Sequence, residues 1–360
     1  MTQHLSCLII GGGISGLVAA TALQQHGITV TVVDKGFGIG GRLASRSVKT
    51  GEGARGYFDY GCQFFTAQTA QFQTWLQESE SLDLVQPWSN GFVDTQGQTR
   101  DFEGLAGQND QSTYYYRGTT STRSVAQHLA QNLDIRSQTR IERLVWQGEQ
   151  WTAISIAPSP ARRANPPALH ADVVILTAPV PQALALLDGS SLVIQPSQRQ
   201  QLAQVEYDRC MALLVLLERE SLIPAPGGLY VEDAAIQWMA SNSIKGISSD
   251  YAVTIHATPR FSLEHWEEDR EAIAHHLSII AAPWLGSPVL AHHVHRWKYS
   301  QPTHLYPDPF AVLEFAQPSP TGPLILAGDG FTSAITASSV ERATLSGQAA
   351  AHYVLERLGS

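Results

Sequence analysis

The stretch Leu8-Ile9-Ile10-Gly11-Gly12-Gly13-Ile14-Ser15-Gly16-Leu17 constrains the rest of the chain more than any other. A short apolar run stops at three glycines, and a helical pattern follows. Gly11, Gly13 and Gly16 stand in the order G-x-G-x-x-G. Gly11 permits a tight turn out of a strand, and Gly13 has no side chain to keep a pyrophosphate off the backbone. Gly16 lets the helix pack close to the sheet. The N–H groups opening such a helix carry about half a unit of positive charge toward the phosphates.

The motif alone is weak, so its surroundings matter. Gly27-Ile28-Thr29-Val30-Thr31-Val32-Val33-Asp34 reads as a turn and a second strand ending in an acid. Asp34 lies 18 residues beyond Gly16, close to the spacing of a carboxylate on a ribose hydroxyl. Gly40-Gly41-Arg42 follows after a loop too short to hold a helix. Two glycines bring the backbone close, and Arg42 adds a planar fork suited to phosphate oxygens. Taken singly, Asp34 and Arg42 could each be a solvated surface charge. In this order, ribose and phosphate are the favoured partners.

The 360 residues suffice for one large domain or two. A net charge of -9 argues against nucleic acid or an anionic membrane as the main partner. Cys7, Cys62 and Cys210 are odd in number and far apart, which fits neither a metal site nor a disulfide framework. The adjacent pairs His275-His276 and His292-His293 point their rings in different directions in a helix or strand, so no metal site is expected. No signal peptide or membrane-length apolar run is visible, and a soluble cytoplasmic protein is expected.

Along the chain, a helix is expected over 66–84 and β-structure over 85–116. A helix follows near 124–129, then strand, turn, strand over 134–146 and a strand over 151–156. Residues 157–168 read as a proline-rich hairpin tip. Val173 to Thr177 is an apolar strand suited to a parallel sheet. Four strand patterns lie between 212 and 256, and with 85–116 they would make one mixed sheet. An amphipathic helix is expected over 264–280, and a final helix over about 339–358 after a buried strand ending in Gly328-Asp329. Nucleotide-binding pieces thus lie at the start, middle and end, with antiparallel pieces between them.

Strand, glycine loop, helix, strand, acid and Gly-Gly-Arg resemble the FAD enzymes related to glutathione reductase and the flavin amine oxidases. More of the chain is similar to the renalase family of FAD oxidoreductases. The matching stretches are Asp59-Tyr60-Gly61-Cys62-Gln63, Leu176 to Pro181, Arg199 to Leu202, His295 to Gln301 and Gly328-Asp329-Gly330-Phe331-Thr332. The resemblance implies an α/β fold of the p-hydroxybenzoate hydroxylase type. A Rossmann-type FAD-binding domain (1–84, 117–190 and 300–360) would be interleaved with a mixed-sheet substrate domain (85–116 and 191–299). Besides Gly11, Gly13, Gly16, Asp34 and Arg42, it implies cofactor contacts at Ile14, Ser15, Lys35, Gly41, Gly61, Cys62, Gln63, Ile141, Asp329, Ser339 and Val340. The chain departs from the flavin amine oxidases at Ser338-Ser339-Val340-Glu341-Arg342, where glycines are common. No cysteine lies in the C-terminal part, so non-covalent FAD is expected.

The resemblance also implies an activity: oxidation of dihydronicotinamide isomers by hydride transfer to flavin N5, with O2 taking the electrons and giving H2O2. Aromatisation drives such a reaction, so positioning is the protein's remaining task. Tyr60, Trp297 and Tyr299, with His256 and Asn242 as polar candidates, are the residues expected to supply it, and Trp238 is a further aromatic candidate. An amine oxidase or desaturase on the same scaffold is the alternative, with Tyr60, Trp297 and Tyr299 as an aromatic cage. A non-catalytic protein stabilised by FAD is the third reading.

Overall fold

The computed structural model describes residues 5–51, 53–100, 114–156, 167–316, 320–332 and 337–358. The chain divides into two compact units. One comprises Met1–Gly41, Ala126–Glu206 and Pro302–Ser360, and the other Arg42–Val125 and Tyr207–Gln301.

The first unit is built on a six-stranded sheet. Its order is Ala311–Val312, Leu324–Leu326, Val173–Leu176, Ser6–Ile10, Thr29–Val33 and Asp134–Arg136. All neighbours are parallel except the Ala311–Val312 edge. Val173–Leu176 is buried at every position, as a central parallel strand covered on both faces must be. The helices Ile14–Gln25 and Ser339–Leu358 pack on each other and on this sheet. They approach so closely at Gly347 that an added Cβ would stand 2.2 Å from the Ser15 carbonyl oxygen. A three-stranded antiparallel sheet, Arg140–Gln147, Gln150–Ile156 and Leu169–Ala171, completes the strands of this unit. Most of the proline-rich stretch expected as its hairpin tip, 157–166, lies outside the described residues.

The second unit is built on a seven-stranded sheet. Its order is Val289–Trp297, Cys210–Leu217, Ala252–Ala257, Ile236–Ser241, Gly228–Tyr230, Phe92–Asp94 and Thr99–Arg100. Cys210–Leu217 is wholly buried because it serves two cores. Met211, Leu213, Val215 and Leu217 face the helix Arg270–Leu285. Leu214 and Leu216 alternate to the other face, against Val48 and Phe58 of the hairpin Ser45–Lys49/Arg55–Asp59. That packing explains why residues 42–84 group with this unit rather than with the nucleotide-binding pieces. Conversely, 191–206 joins the first unit, tied by the Gln195 N–H to the Glu314 carbonyl at 2.7 Å.

Two expectations about elements need correction. Val85–Ser89 and Tyr115–Gly118 form a separate two-stranded sheet outside the large one, with Tyr116 also bridging Phe65, while 101–113 is not among the described residues. The single helix expected over 264–280 is two helices, Pro259–Glu264 and Arg270–Leu285. The break is imposed by the caps. The first helix closes at His265, whose N–H donates to the Phe261 carbonyl, and Asp269 starts the second by accepting the Glu271 N–H. Among the described residues no helix is long and apolar enough to cross a membrane.

Candidate functional site

In the first unit the glycine loop is held from behind. Gly11 sits at φ +127°, and a Cβ there would meet Thr177 Oγ1 at 2.4 Å. Thr177 Oγ1 itself donates to the Gly11 carbonyl at 3.0 Å. At Gly16 a Cβ would collide with the Gly11 carbonyl oxygen at 2.1 Å. Gly13 differs, because nothing lies within 4 Å of its would-be Cβ. It is the N-cap of Ile14–Gln25, without a side-chain cap and with no acid in the first turn. The orphan N–H groups of that turn are therefore met by neither a side-chain cap nor an acid of the turn itself. Buried Ser15 adds a hydroxyl with no partner among the described residues. Such a cradle fits a phosphate group.

Asp34 organises the rim. Its carboxylate accepts the N–H groups of Gly12 at 2.7 Å and Gly36 at 2.6 Å. Gly40 bridges to Gly13 and donates to the Gly12 carbonyl at 2.8 Å, while Gly41 stacks on the Gly13 backbone. Lys35 reaches Gln182 at 2.9 Å, and burial holds its ammonium below the usual lysine range. Ile14 is buried in the first turn of the helix. Ile141 is buried in the three-stranded sheet, two residues beyond Thr139, whose N–H donates to the Asp34 carbonyl. At the far strand end, Gly328 donates to Ser346 Oγ at 2.8 Å and Asp329 is buried. The departure at Arg342 has a structural purpose. Its buried guanidinium donates to the carbonyls of Asp329 and Ala337 and to Ser339 Oγ, fastening the loop to the start of the closing helix beside Val340.

In the second unit the turn after Asp59 is the organising element. Asp59 and Lys245 are both 0% exposed and pair at 3.1 Å. The Asp59 carboxylate also accepts Ser45 Oγ and the Thr122 N–H, and Lys245 also donates to the Gln63 carbonyl at 2.7 Å. Burial presses the Lys245 ammonium below its usual range, and the Asp59 charge opposes that. Asn242 is spent on the same network. Its Oδ1 takes the Asp59 N–H, and its Nδ2 donates to Thr254 Oγ1. Its amide is therefore committed to the fold rather than offered to a substrate. Gln63 Nε2 donates to the Asp59 and Gly61 carbonyls, and its buried Oε1 has no donor among the described residues.

Arg42 donates to the Ser300 carbonyl at 3.0 Å, and its own carbonyl accepts the Cys62 N–H. A Cβ at Gly61 would strike that same Arg42 oxygen at 2.1 Å. Cys62 is no nucleophile. Burial raises its thiol to about 12, and the thiol donates to the Phe64 carbonyl.

Tyr60 presents both a ring and a carbonyl. Its ring stacks on Trp297 at 5.3 Å and meets His295 edge-on at 4.9 Å. Its carbonyl accepts Trp297 Nε1 at 2.9 Å and His256 Nε2 at 3.1 Å. A carbonyl can only accept, so the His256 proton is assigned to Nε2 and its lone pair to Nδ1. Burial lowers His256 to about 4, so the ring is neutral at pH 7. His293, His295 and Trp297 alternate onto one face of their strand. Tyr299, beyond the strand end, packs edge-on against Tyr207 instead. Trp238 belongs to a buried aromatic cluster with Phe92 and Tyr115. Lys245 and His295 were not among the candidates. Lys245 reads as a turn lysine in Ser-Asn-Ser-Ile-Lys-Gly, and only its burial reveals it.

Known proteins fit this geometry. A family model described as NAD(P)-binding Rossmann-like domain matches residues 9–78. A second, described as flavin containing amine oxidoreductase, matches residues 103–355. The chain is similar to renalase of Mus musculus, 27% identical over 344 residues, covering 90% of this chain and 92% of that protein. Among solved structures it is similar to cyclohexylamine oxidase from Brevibacterium oxydans IH-35A (TM-score 0.64, 14% identity, 99% of this chain and 100% of that one). It is also similar to a putrescine oxidase bound to putrescine (TM-score 0.65, 12% identity, 98% and 100%). With the cradle at Gly13 and the family match over most of its length, the chain belongs to the flavin-containing amine oxidoreductases and is an FAD-dependent oxidoreductase.

Proposed function

We propose that this protein oxidises reduced nicotinamides, the dihydro isomers of NAD(P), with O2 as acceptor and H2O2 as product. The observation that carries the reading is the platform of Tyr60, Trp297 and His295 beside a neutral His256. Flat aromatic rings suit a flat dihydropyridine, and offset stacking orients it. His256 offers Nδ1 as a hydrogen-bond acceptor, and the two donors on the Tyr60 carbonyl fix the platform's orientation. No strong base is needed, because loss of hydride makes the ring aromatic. FAD, when bound without a covalent link, supplies hydride acceptance at N5 and reoxidation by O2. Gly11 to Gly16 and Ser15 would hold its phosphates and Asp34 its ribose. Gln63 Oε1 and Arg42 would meet other polar groups of the cofactor. The likeness to renalase supports the same reading. Three free cysteines suit a reducing, cytoplasmic setting.

Amine oxidation is the second reading, supported by the family's description. Anaerobic stopped-flow bleaching of the flavin separates the two. Dihydronicotinamide isomers should bleach it much faster than simple amines or ordinary NADH, and Trp297→Ala should lower that rate more than it changes FAD affinity. Fast bleaching by amines alone would install the second reading.

A further inference from the structure

Among the described residues, two arginines beside the platform have no carboxylate partner. Arg46 lies 5.9 Å from the centre of the Tyr60 ring. One of its terminal nitrogens donates to His293 Nε2 at 2.5 Å. An arginine can only donate, so His293 accepts as a neutral ring and cancels none of the charge. Arg123 follows Thr122, whose N–H is anchored on Asp59. The Nε–H groups of Arg46 and Arg123 are both buried and unpartnered among the described residues. Asp59, the acid of this network, is already committed to Lys245, Ser45 and Thr122. The charges felt by the Tyr60 phenol are those of Arg46 and Arg123, and burial, its main perturbation, raises it. His295 is held down to about 4, first by burial and then by Arg46, His293 and Arg270. In a chain of net charge -9, this is a local positive field with donors left over.

A buried guanidinium N–H without an acceptor is costly, and a planar fork matches phosphate oxygens. We propose that Arg46 and Arg123 form an anion subsite of the platform, which takes the phosphate of a phosphorylated dihydronicotinamide donor. This rests on the reading that the platform holds a dihydronicotinamide. It gives a reason for selecting donors by charge, since the same field repels an ammonium.

The test uses the FAD-loaded protein and two probes. Inorganic pyrophosphate is titrated calorimetrically into wild type, Arg46→Gln, Arg123→Gln and the double variant. Separately, anaerobic flavin reduction is compared for a dihydronicotinamide dinucleotide isomer and its phosphate-free riboside. Each single variant should weaken pyrophosphate and the dinucleotide by roughly tenfold, the scale of one charged hydrogen bond. The riboside should change less than about twofold on the same scale, and Arg46→Lys should recover part of the loss. The Arg123 side chain makes no hydrogen bond among the described residues, so its variant tests the idea even if Arg46→Gln folds poorly. Wild type that ignores pyrophosphate, or a double variant that binds it unchanged, overturns the subsite. Equal losses for dinucleotide and riboside, or release of FAD from the variants, overturn it too. Pyrophosphate bound through both arginines, with no dihydronicotinamide bleaching the flavin, upholds the subsite and sinks the substrate reading instead.

Discussion

Lys245 shows how much a single side chain can decide without touching a substrate. Its pairing with Asp59 in a fully buried place gains little over an apolar packing of the same volume, but removing one partner would strand the other charge. The pair therefore fixes the conformation of the turn that carries Tyr60 and Gln63. The histidines around that turn give a pH dependence with a definite sign. His256 and His295 fall from 6.5 to about 4, each mainly by burial. A histidine depressed in the folded state takes its proton first in the unfolded chain. Its stabilisation is complete above pH 6.5 and is lost as pH falls toward 4. Each should contribute on the order of 1–3 kcal/mol. Urea unfolding midpoints should drop across this window, and His256→Gln or His295→Gln should flatten the drop; a wild-type midpoint that does not move would contradict burial of neutral rings. At this scale the sequence was only partly readable. Tyr60, Trp297 and His256 do gather around one carbonyl. Asn242 was expected to face a substrate, and instead its amide is spent within a network whose central member, Asp59, lies 183 positions away. Local pattern carries no trace of such partners.

At the scale of elements, the glycine loop separates two roles that the motif merges. Gly13→Ala meets nothing in the protein and keeps an ordinary backbone, with φ at -79°. It should leave the apoprotein's unfolding midpoint unchanged yet weaken FAD, read by flavin fluorescence on titration. Gly16→Ala drives a methyl into the Gly11 carbonyl and should destabilise the apoprotein itself. Equal FAD affinity for Gly13→Ala and wild type would place the phosphates elsewhere. Strands with long apolar runs, such as Val173–Leu176 and Cys210–Leu217, were legible because full burial demands such runs. The break between Pro259–Glu264 and Arg270–Leu285 was not, because hydrophobic spacing continues across it. The capping bonds of His265 and Asp269 mark the interruption. Borders between the units were equally hidden. The hairpin Ser45–Lys49/Arg55–Asp59 follows the nucleotide-binding motifs directly, yet its apolar side packs on Leu214 and Leu216.

For the molecule as a whole, cofactor and stability are linked. FAD that binds only the folded chain should raise the thermal midpoint progressively with concentration, worth about 4 kcal/mol at a thousandfold excess over Kd. The protein should be yellow, and acid precipitation should leave the flavin in the supernatant; flavin in the pellet would refute the non-covalent assignment. Each unit is assembled from separated stretches of chain, and this bears on how the protein is made. The second unit has all its residues once Gln301 is synthesised. The first opens with the strand Ser6–Ile10 and the helix Ile14–Gln25, but the helix that covers the latter, Ser339–Leu358, is the last of the described elements. At roughly 5–20 residues per second, the ribosome leaves that apolar helix face bare for tens of seconds. The helix that carries the glycine loop is thus enclosed only after Ser339–Leu358 has been made, about 300 residues later in the chain.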